Sequence, residues 1–347
     1  MKTLFGLVAL VLGLAFAGQA AAAPGCAPEG HVHYLCGMAN VEDMVLAPGG
    51  RWIIASSMAG PGAPVGRLYL IDARKRSFAP LSPDVSRRAE PAYARCPGPP
   101  DLSKFAPHGL GLRTEPGGGA LYVVNHGGRE AIEVFRLTAS PEGPALRWIG
   151  CAILPDHGSG NGVAPLPHGG FVASKFEEAG DAKAFDKMAA GAVTGGVYEW
   201  RPGAGWRKLP KSDMSGANGV ETSQGGRFVL VNEWAKGKVL RFQLGGDGAL
   251  RAVAAGFLPD NLRAAPDGSI LVAGQAPDIK TLLACTKPHC PHAWAVARLD
   301  PQTMKLTPVL AEPGTDAFSD ATVALQVGHE IWVGTYRGDR VAIVAVK

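Results

Sequence analysis

Charge is scarce in this chain and evenly split. Only 18% of its 347 residues are charged, and 34 Lys and Arg set against 30 Asp and Glu leave a formal net charge of +4. So small and scattered an excess carries no nucleic-acid signature. No serine stands in a Gly-x-Ser-x-Gly setting, Ser56 and Ser57 included, which argues against a nucleophilic serine. After the first residues no stretch is long and apolar enough to span a bilayer. Yet 46% of the chain is hydrophobic, which excludes disorder. What abounds is backbone punctuation: 47 glycines and 28 prolines, without a collagen period. Inside helices each would cost about 1 kcal/mol (Gly) or about 3 kcal/mol (Pro), so a helix bundle is excluded. Many short strands joined by tight turns, an all-β architecture, accommodate them.

The first residues read as a processing signal. Lys2 precedes an apolar run from Leu4 to Ala17, followed by the small residues Gln19 to Ala23. Basic, apolar and small residues in that order predict a signal peptide over 1–23, cut near Ala23. The run falls short of the roughly 20 residues a membrane span needs, and Ala23-Pro24-Gly25 ahead of Cys26 makes a poor lipoprotein box. The expectation is an exported protein, periplasmic or extracellular, with residues 24–347 as one domain. Export makes Cys26, Cys36, Cys96, Cys151, Cys285 and Cys290 disulfide candidates. Six cysteines allow 15 pairings. Cys96 and Cys151 precede two successive repeat phrases by similar distances, which favours their pairing beside the mouth of the fold. Cys285–Cys290 is then a local staple and Cys26 is left with Cys36. A zinc clip in Cys285-Thr-Lys-Pro-His-Cys290-Pro-His292 is the competing reading, but it needs four ligands within eight residues.

One phrase recurs six times: a polar residue, a few apolar positions, a Gly-containing turn and a strand. It begins at Glu42, His108, Asn161, Asn218, Asp260-Asn261 and Ser319-Asp320. Further strand-like text follows, such as Gly66–Asp72, Ala131–Leu137, Lys238–Leu244 and Ala295–Asp300. Six copies allow about 54 residues each, room for four short antiparallel strands, the size of a propeller blade. The prediction is a six-bladed β-propeller with a central channel. Glu177–Ala190, rich in Ala and charge and free of Pro, reads as a helical lid over one face.

In a propeller the innermost strand of each blade lines the channel, so the residues opening the phrases converge near one mouth. Taken singly, each could merely make a turn. Taken together, five carboxylate and amide groups without thiolates suit a hard cation with 6–8 oxygen ligands, which is calcium rather than magnesium.

These residues carry a resemblance. Glu42-Asp43, Phe105-Ala-Pro-His-Gly-Leu110, Tyr122-Val-Val-Asn-His126 with Ala131–Arg136, Ala217-Asn-Gly219 and Pro259-Asp-Asn261 resemble the paraoxonase/arylesterase family, part of a wider group of six-bladed propellers that includes the sugar lactonases and the strictosidine synthase-like proteins. The resemblance runs from about residue 36 to the end. It implies a calcium-dependent hydrolase of esters or lactones, with one catalytic calcium held by Glu42, Asn161, Asn218, Asp260 and Asn261. It also implies a histidine dyad, His108 next to the substrate and His126 behind it. A second, structural calcium would use Asp43, the Leu110 carbonyl and an acidic residue after Asn161. That last position is Gly162 here, so one tightly held calcium is expected rather than two, with Asp43 turning to a backbone or water partner or the deep site binding its ion weakly. The C-terminal Val341–Lys347 has no cysteine, so the family's clasp between chain ends cannot form in its usual way. The rival readings are a sugar lactonase without a functional dyad and a non-enzymatic exported propeller that binds a ligand or partner at the same mouth. The expected partner is a small ester or lactone; oligomeric state is not legible.

Overall fold

The computed structural model describes residues 25–60, 63–245, 250–286 and 290–346; the predicted signal peptide lies outside them. Within the described residues the strands form six four-stranded antiparallel sheets arranged as the blades of a propeller. Blade 1 runs through Val41–Leu46, Trp52–Ser57, Arg67–Asp72 and Ser77–Leu81, each strand pairing with the next. Blades 2 to 5 repeat this order, and their inner strands are Pro107–Glu115, Gly158–Pro165, Ala217–Thr222 and Leu258–Ala264. Blade 6 has Ala321–Val327 inside, then Glu330–Thr335 and Arg340–Ala345, and its outermost strand is Val32–Cys36 from the other end of the chain. The ring therefore closes by strand pairing, from Val32 opposite Val344 to Cys36 opposite Arg340. Arg340 Nη1 adds a bond to the Gly25 carbonyl at 2.7 Å.

Each sheet is sandwiched between two others, so its middle strands are buried on both faces. Gly118–Asn125 and Phe228–Glu233 expose no residue at all, and the simple in-out alternation of a half-solvated strand is lost. Between blades 6 and 1 the filling is Met44, Ile53, Trp332 and Ile343. Between blades 2 and 3 it is aromatic: Trp200 stacks on Tyr93 and on Phe171, both with ring centroids 5.1 Å apart.

All three disulfides expected from the sequence form: Cys26–Cys36, Cys96–Cys151 and Cys285–Cys290. Cys151 lies on the outer strand Ala145–Ile153 of blade 2, so the Cys96–Cys151 bridge fastens the long connection after blade 1 to the outer edge of blade 2. The helical lid is shorter than predicted. Glu177 and Glu178 still belong to the strand Phe171–Glu178, and helix α1 spans only Ala184–Ala189. It meets a second short helix, α2, Ile279–Leu283, whose N-cap Asp278 accepts from the Lys280 and Thr281 amides. Among the described residues no helix is long and apolar enough to cross a membrane.

Candidate functional site

Every inner strand breaks register at the same place. The irregularities fall between Val41 and Asp43, Pro107 and Leu110, Gly160 and Val163, Ala217 and Val220, Pro259 and Leu262, and Ala321 and Val323. The residues thus freed from the ladder are those that open the repeated phrases: Glu42, His108, Asn161, Asn218, Asp260 and Asn261. A bulge re-aims a side chain that regular pleating would send into a neighbouring blade. Three of the bulges contain a glycine, and close packing of the inner strands requires it. A Cβ on Gly109 would stand 2.1 Å from the Asn161 carbonyl, one on Gly162 2.7 Å from the Val220 nitrogen, and one on Gly219 2.5 Å from the Asp260 carbonyl. In the sixth blade Thr322 holds the corresponding place and its hydroxyl donates to the Glu42 carbonyl at 2.7 Å. The predicted Asp320 sits just before that strand, and its carboxylate faces His292 Nδ1 at 2.8 Å.

The mouth gathers oxygens that nothing among the described residues satisfies. Glu42 Oε2, Asn161 Oδ1 and Asn218 Oδ1 are buried without a hydrogen-bond partner. A buried polar atom left unpaired costs about 1–3 kcal/mol, so three together at one point need a reason. Asp260 completes the group; its Oδ2 accepts from Gln275 Nε2 at 2.9 Å. Burial and then the neighbouring Glu42 carboxylate push the Asp260 pKa well above its ordinary value. Buried anions with idle oxygens are what a hard divalent cation neutralises, so Glu42, Asn161, Asn218 and Asp260 could hold calcium. Asn261 is placed differently. Its Nδ2 donates to Glu42 Oε1 at 2.6 Å, so here it braces Glu42 from beneath.

The two predicted histidines do meet, and they belong to a longer chain. His108 Nδ1 lies 2.8 Å from His126 Nε2, and His126 Nδ1 lies 2.8 Å from Glu130 Oε2. The Glu130 carboxylate only accepts, which places a hydrogen on His126 Nδ1 and leaves its Nε2 to accept from His108 Nδ1. His108 Nε2 then presents a lone pair at the mouth, accepting a long bond from Asn161 Nδ2 at 3.4 Å with Glu42 Oε1 also 3.4 Å away. Burial opposes charging this imidazole, but the Glu42, Asp260 and Asp43 carboxylates together outweigh it and raise its pKa.

Beneath the mouth the deep site expected for a second calcium is filled by a side chain. Arg263, two residues beyond Asn261, turns its guanidinium into the channel with the side chain only 6% exposed. Nη2 bonds the Asp43 carboxylate and, at 2.7 Å, the Leu110 carbonyl; Nε bonds the Met44 carbonyl at 2.8 Å. Asp43 also accepts from the Met44 and Leu110 amides. The residues do not fit a second calcium, because Asp43 and Leu110 are already engaged. Asp43 thus finds the backbone partners expected of it, and it also faces a fixed cation that the sequence did not reveal.

A cavity of about 610 Å³ opens above the mouth. One wall is apolar, built from Phe176, Phe185, Trp234 and Leu282, with Phe176, Phe185 and Trp234 ring centroids 5.9 to 6.1 Å apart. Trp234 Nε1 donates to Gln275 Oε1 at 2.9 Å, which joins this wall to Asp260 through one amide. Glu130, Gln275 and Arg263 escaped the sequence reading, and Glu177 figured there only as the start of the lid. Only Glu130 left a signal there, four residues after His126. Cys285 and His292 stand on the rim, but the Cys285 and Cys290 sulfurs are bonded to each other, so the zinc reading loses its thiolates.

No family model and no curated protein matches this sequence. Solved structures do match. A gluconolactonase from Xanthomonas campestris superposes with a TM-score of 0.55 at 14% identity, covering 90% of this chain and 89% of its own. A luciferin-regenerating enzyme superposes with a TM-score of 0.57 at 12% identity, covering 90% and 94%. At such identities the likeness establishes the fold alone, a six-bladed propeller, and leaves the chemistry to be argued from the site.

Proposed function

We propose that this protein is an exported, calcium-dependent hydrolase of esters or lactones acting at the channel mouth. The observation that carries the reading is the convergence of Glu42 Oε2, Asn161 Oδ1 and Asn218 Oδ1, all buried and unpartnered, beside Asp260. When bound there, calcium supplies Lewis-acid polarisation of the substrate carbonyl and charge for the developing oxyanion. His108 Nε2 takes the proton from an attacking water, and its own Nδ1–H stays bonded to His126. His126 in turn keeps its hydrogen towards Glu130, which fixes the tautomer of both rings and supports the imidazolium that forms on His108. With the neighbouring carboxylates neutralised, His108 loses the pull that raises its pKa and stays a base near neutral pH. Phe176, Phe185 and Trp234 exclude water from one side and favour an apolar acyl or leaving group.

The histidine chain separates this reading from its rivals. A binding scaffold has no use for a lone pair relayed over two imidazoles to a carboxylate, and a sugar lactonase without a dyad has none either. The test is hydrolysis of a panel of aryl esters, aliphatic lactones and sugar lactones by the purified protein, with and without a chelator. Apolar esters and lactones should be turned over only before chelation. Activity indifferent to chelation would sink the metal mechanism, and turnover of sugar lactones alone would favour the rival hydrolase.

A further inference from the structure

The charge at the bottom of the channel belongs to a side chain. Arg263 donates only to oxygen: the Asp43 carboxylate, the Leu110, Met44 and Leu262 carbonyls, with Glu221 Oε2 at 3.9 Å from Nη1. Those oxygens come from the inner strands of blades 1, 2, 4 and 5, so one guanidinium ties four of six blades across the axis. Asp43 is wholly buried and the Arg263 side chain nearly so. Arginine is always charged and presents its donors in a rigid fork, so it can satisfy several fixed oxygens at once without any dissociation equilibrium.

We infer that Arg263 is a tethered cation that does the work of a deep structural metal, so that the ring is braced without calcium and any ion the channel binds sits at the mouth. Two changes in the sequence agree with this. Where the resemblance expects an anion after Asn161 there is Gly162, and where a metal would need open space there is a guanidinium. A divalent ion added beside Arg263 would face the Asp43 carboxylate, already paired, and a second positive charge at contact distance. The inference does not depend on hydrolysis, because its readouts are ion count and melting temperature.

The experiment is calcium stoichiometry by equilibrium dialysis, with thermal denaturation in chelator and in excess calcium, on the mature chain and on Arg263→Met, Arg263→Lys and Arg263→Ser. The native protein should bind at most one calcium. Arg263→Met strands the buried Asp43 carboxylate and should melt on the order of 10 °C lower, in calcium and in chelator alike. Arg263→Lys keeps the charge with fewer directed bonds and should fall between. Arg263→Ser opens the space beside Asp43, so it should bind one more calcium than the native chain and recover melting temperature as calcium is added. Two ions bound by the native protein would overturn the inference while leaving the proposed chemistry standing. No ion in the native protein, with one gained in Arg263→Ser, would uphold the inference and remove the calcium hydrolase. If the Met and Ser variants fail to fold, the native stoichiometry and the Lys variant still decide. An Arg263→Lys protein that melts with the native one and binds no further ion would count against the bracing role.

Discussion

The two ends of one channel are built from the same six strands, and they treat buried polar groups in opposite ways. At the mouth, Glu42, Asn161 and Asn218 each keep a buried oxygen without a hydrogen-bond partner among the described residues. One residue further along the first inner strand, Asp43 accepts from the Leu110 and Met44 amides and from Arg263. Both sets are buried and both converge on the axis. Convergence alone therefore does not mark a binding site; unmet bonding capacity does. The lower set is a finished brace, and the upper set keeps the unmet capacity that the proposed calcium would fill.

The most forceful way to test that contrast is to remove mouth oxygens. Asp260→Ala and Asn218→Ala should each lower kcat/KM roughly a thousandfold, the scale of losing several kcal/mol of transition-state stabilisation. Calcium affinity should fall with it, while the fold survives: in Asp260→Ala, Gln275 Nε2 keeps its bond to the Ala321 carbonyl. Calcium titration alongside esterase assays checks both, and unchanged affinity in both variants would dissolve the ligand set.

The lower channel is tested by Gly162→Asp. If that region lacked only a carboxylate, the substitution would create a second ion site and raise stability in calcium. The structure points the other way, since the new Cβ would meet the Val220 nitrogen at 2.7 Å and the Gly219 Cα at 2.9 Å, both main-chain atoms. Overpacking of this kind costs about 1–3 kcal/mol, so the melting temperature should drop by about 5 °C with no ion gained. A rise in calcium would show that the strands yield and that the deep site is not full.

Glu130→Gln probes the far end of the histidine chain. It keeps the shape and removes the charge that holds the His126 tautomer. A loss of about 10- to 100-fold in kcat is expected, with KM little changed. Removing a negative charge makes imidazolium harder to form, so the acid limb of the pH–rate profile should also move to lower pH. A structural role alone would leave that limb in place.

The same contrast explains what could be read in advance. The six phrases, the all-β composition and the paired histidines are local or periodic, and they survive translation into strands and bulges. Asp260 and Glu42 were visible because each opens a phrase. Arg263 was not, because an arginine within Leu262-Arg263-Ala264 looks like any solvated strand residue. Its partners are 153 and 220 residues away in sequence, and only ring closure brings them within bonding distance. Gln275 was hidden for a related reason, as it ends a second strand and matters only through Trp234 and Asp260. The lid was misjudged at its start because Glu177 and Glu178, good helix formers, are held in a strand opposite Ser159 and Gly158. Tertiary pairing outweighed propensity there.

That displaced Glu177 gives the smallest effect, and one with a definite sign. It lies in the cavity wall, and its Oε2 is buried with no hydrogen-bond partner. Burial, then the Asp181 and Glu130 carboxylates, push its pKa from 4.5 up to about 7. A carboxyl that holds its proton more tightly when folded imposes no cost below pH 4.5, where both states are protonated. The cost grows as pH rises from there to about 7, because the unfolded chain ionises first, and it is constant above. Glu177→Gln, which cannot ionise, should therefore match the native protein near pH 4 and melt higher at pH 8. The group is only half-buried, so solvent screens much of the penalty and the gain should be about 1–2 °C. Melting curves of both proteins at the two pH values decide it. An equal shift at pH 4 would mean the gain comes from packing, and a loss at pH 8 would mean the ionised carboxylate has a partner in the cavity, as the mouth oxygens are proposed to have.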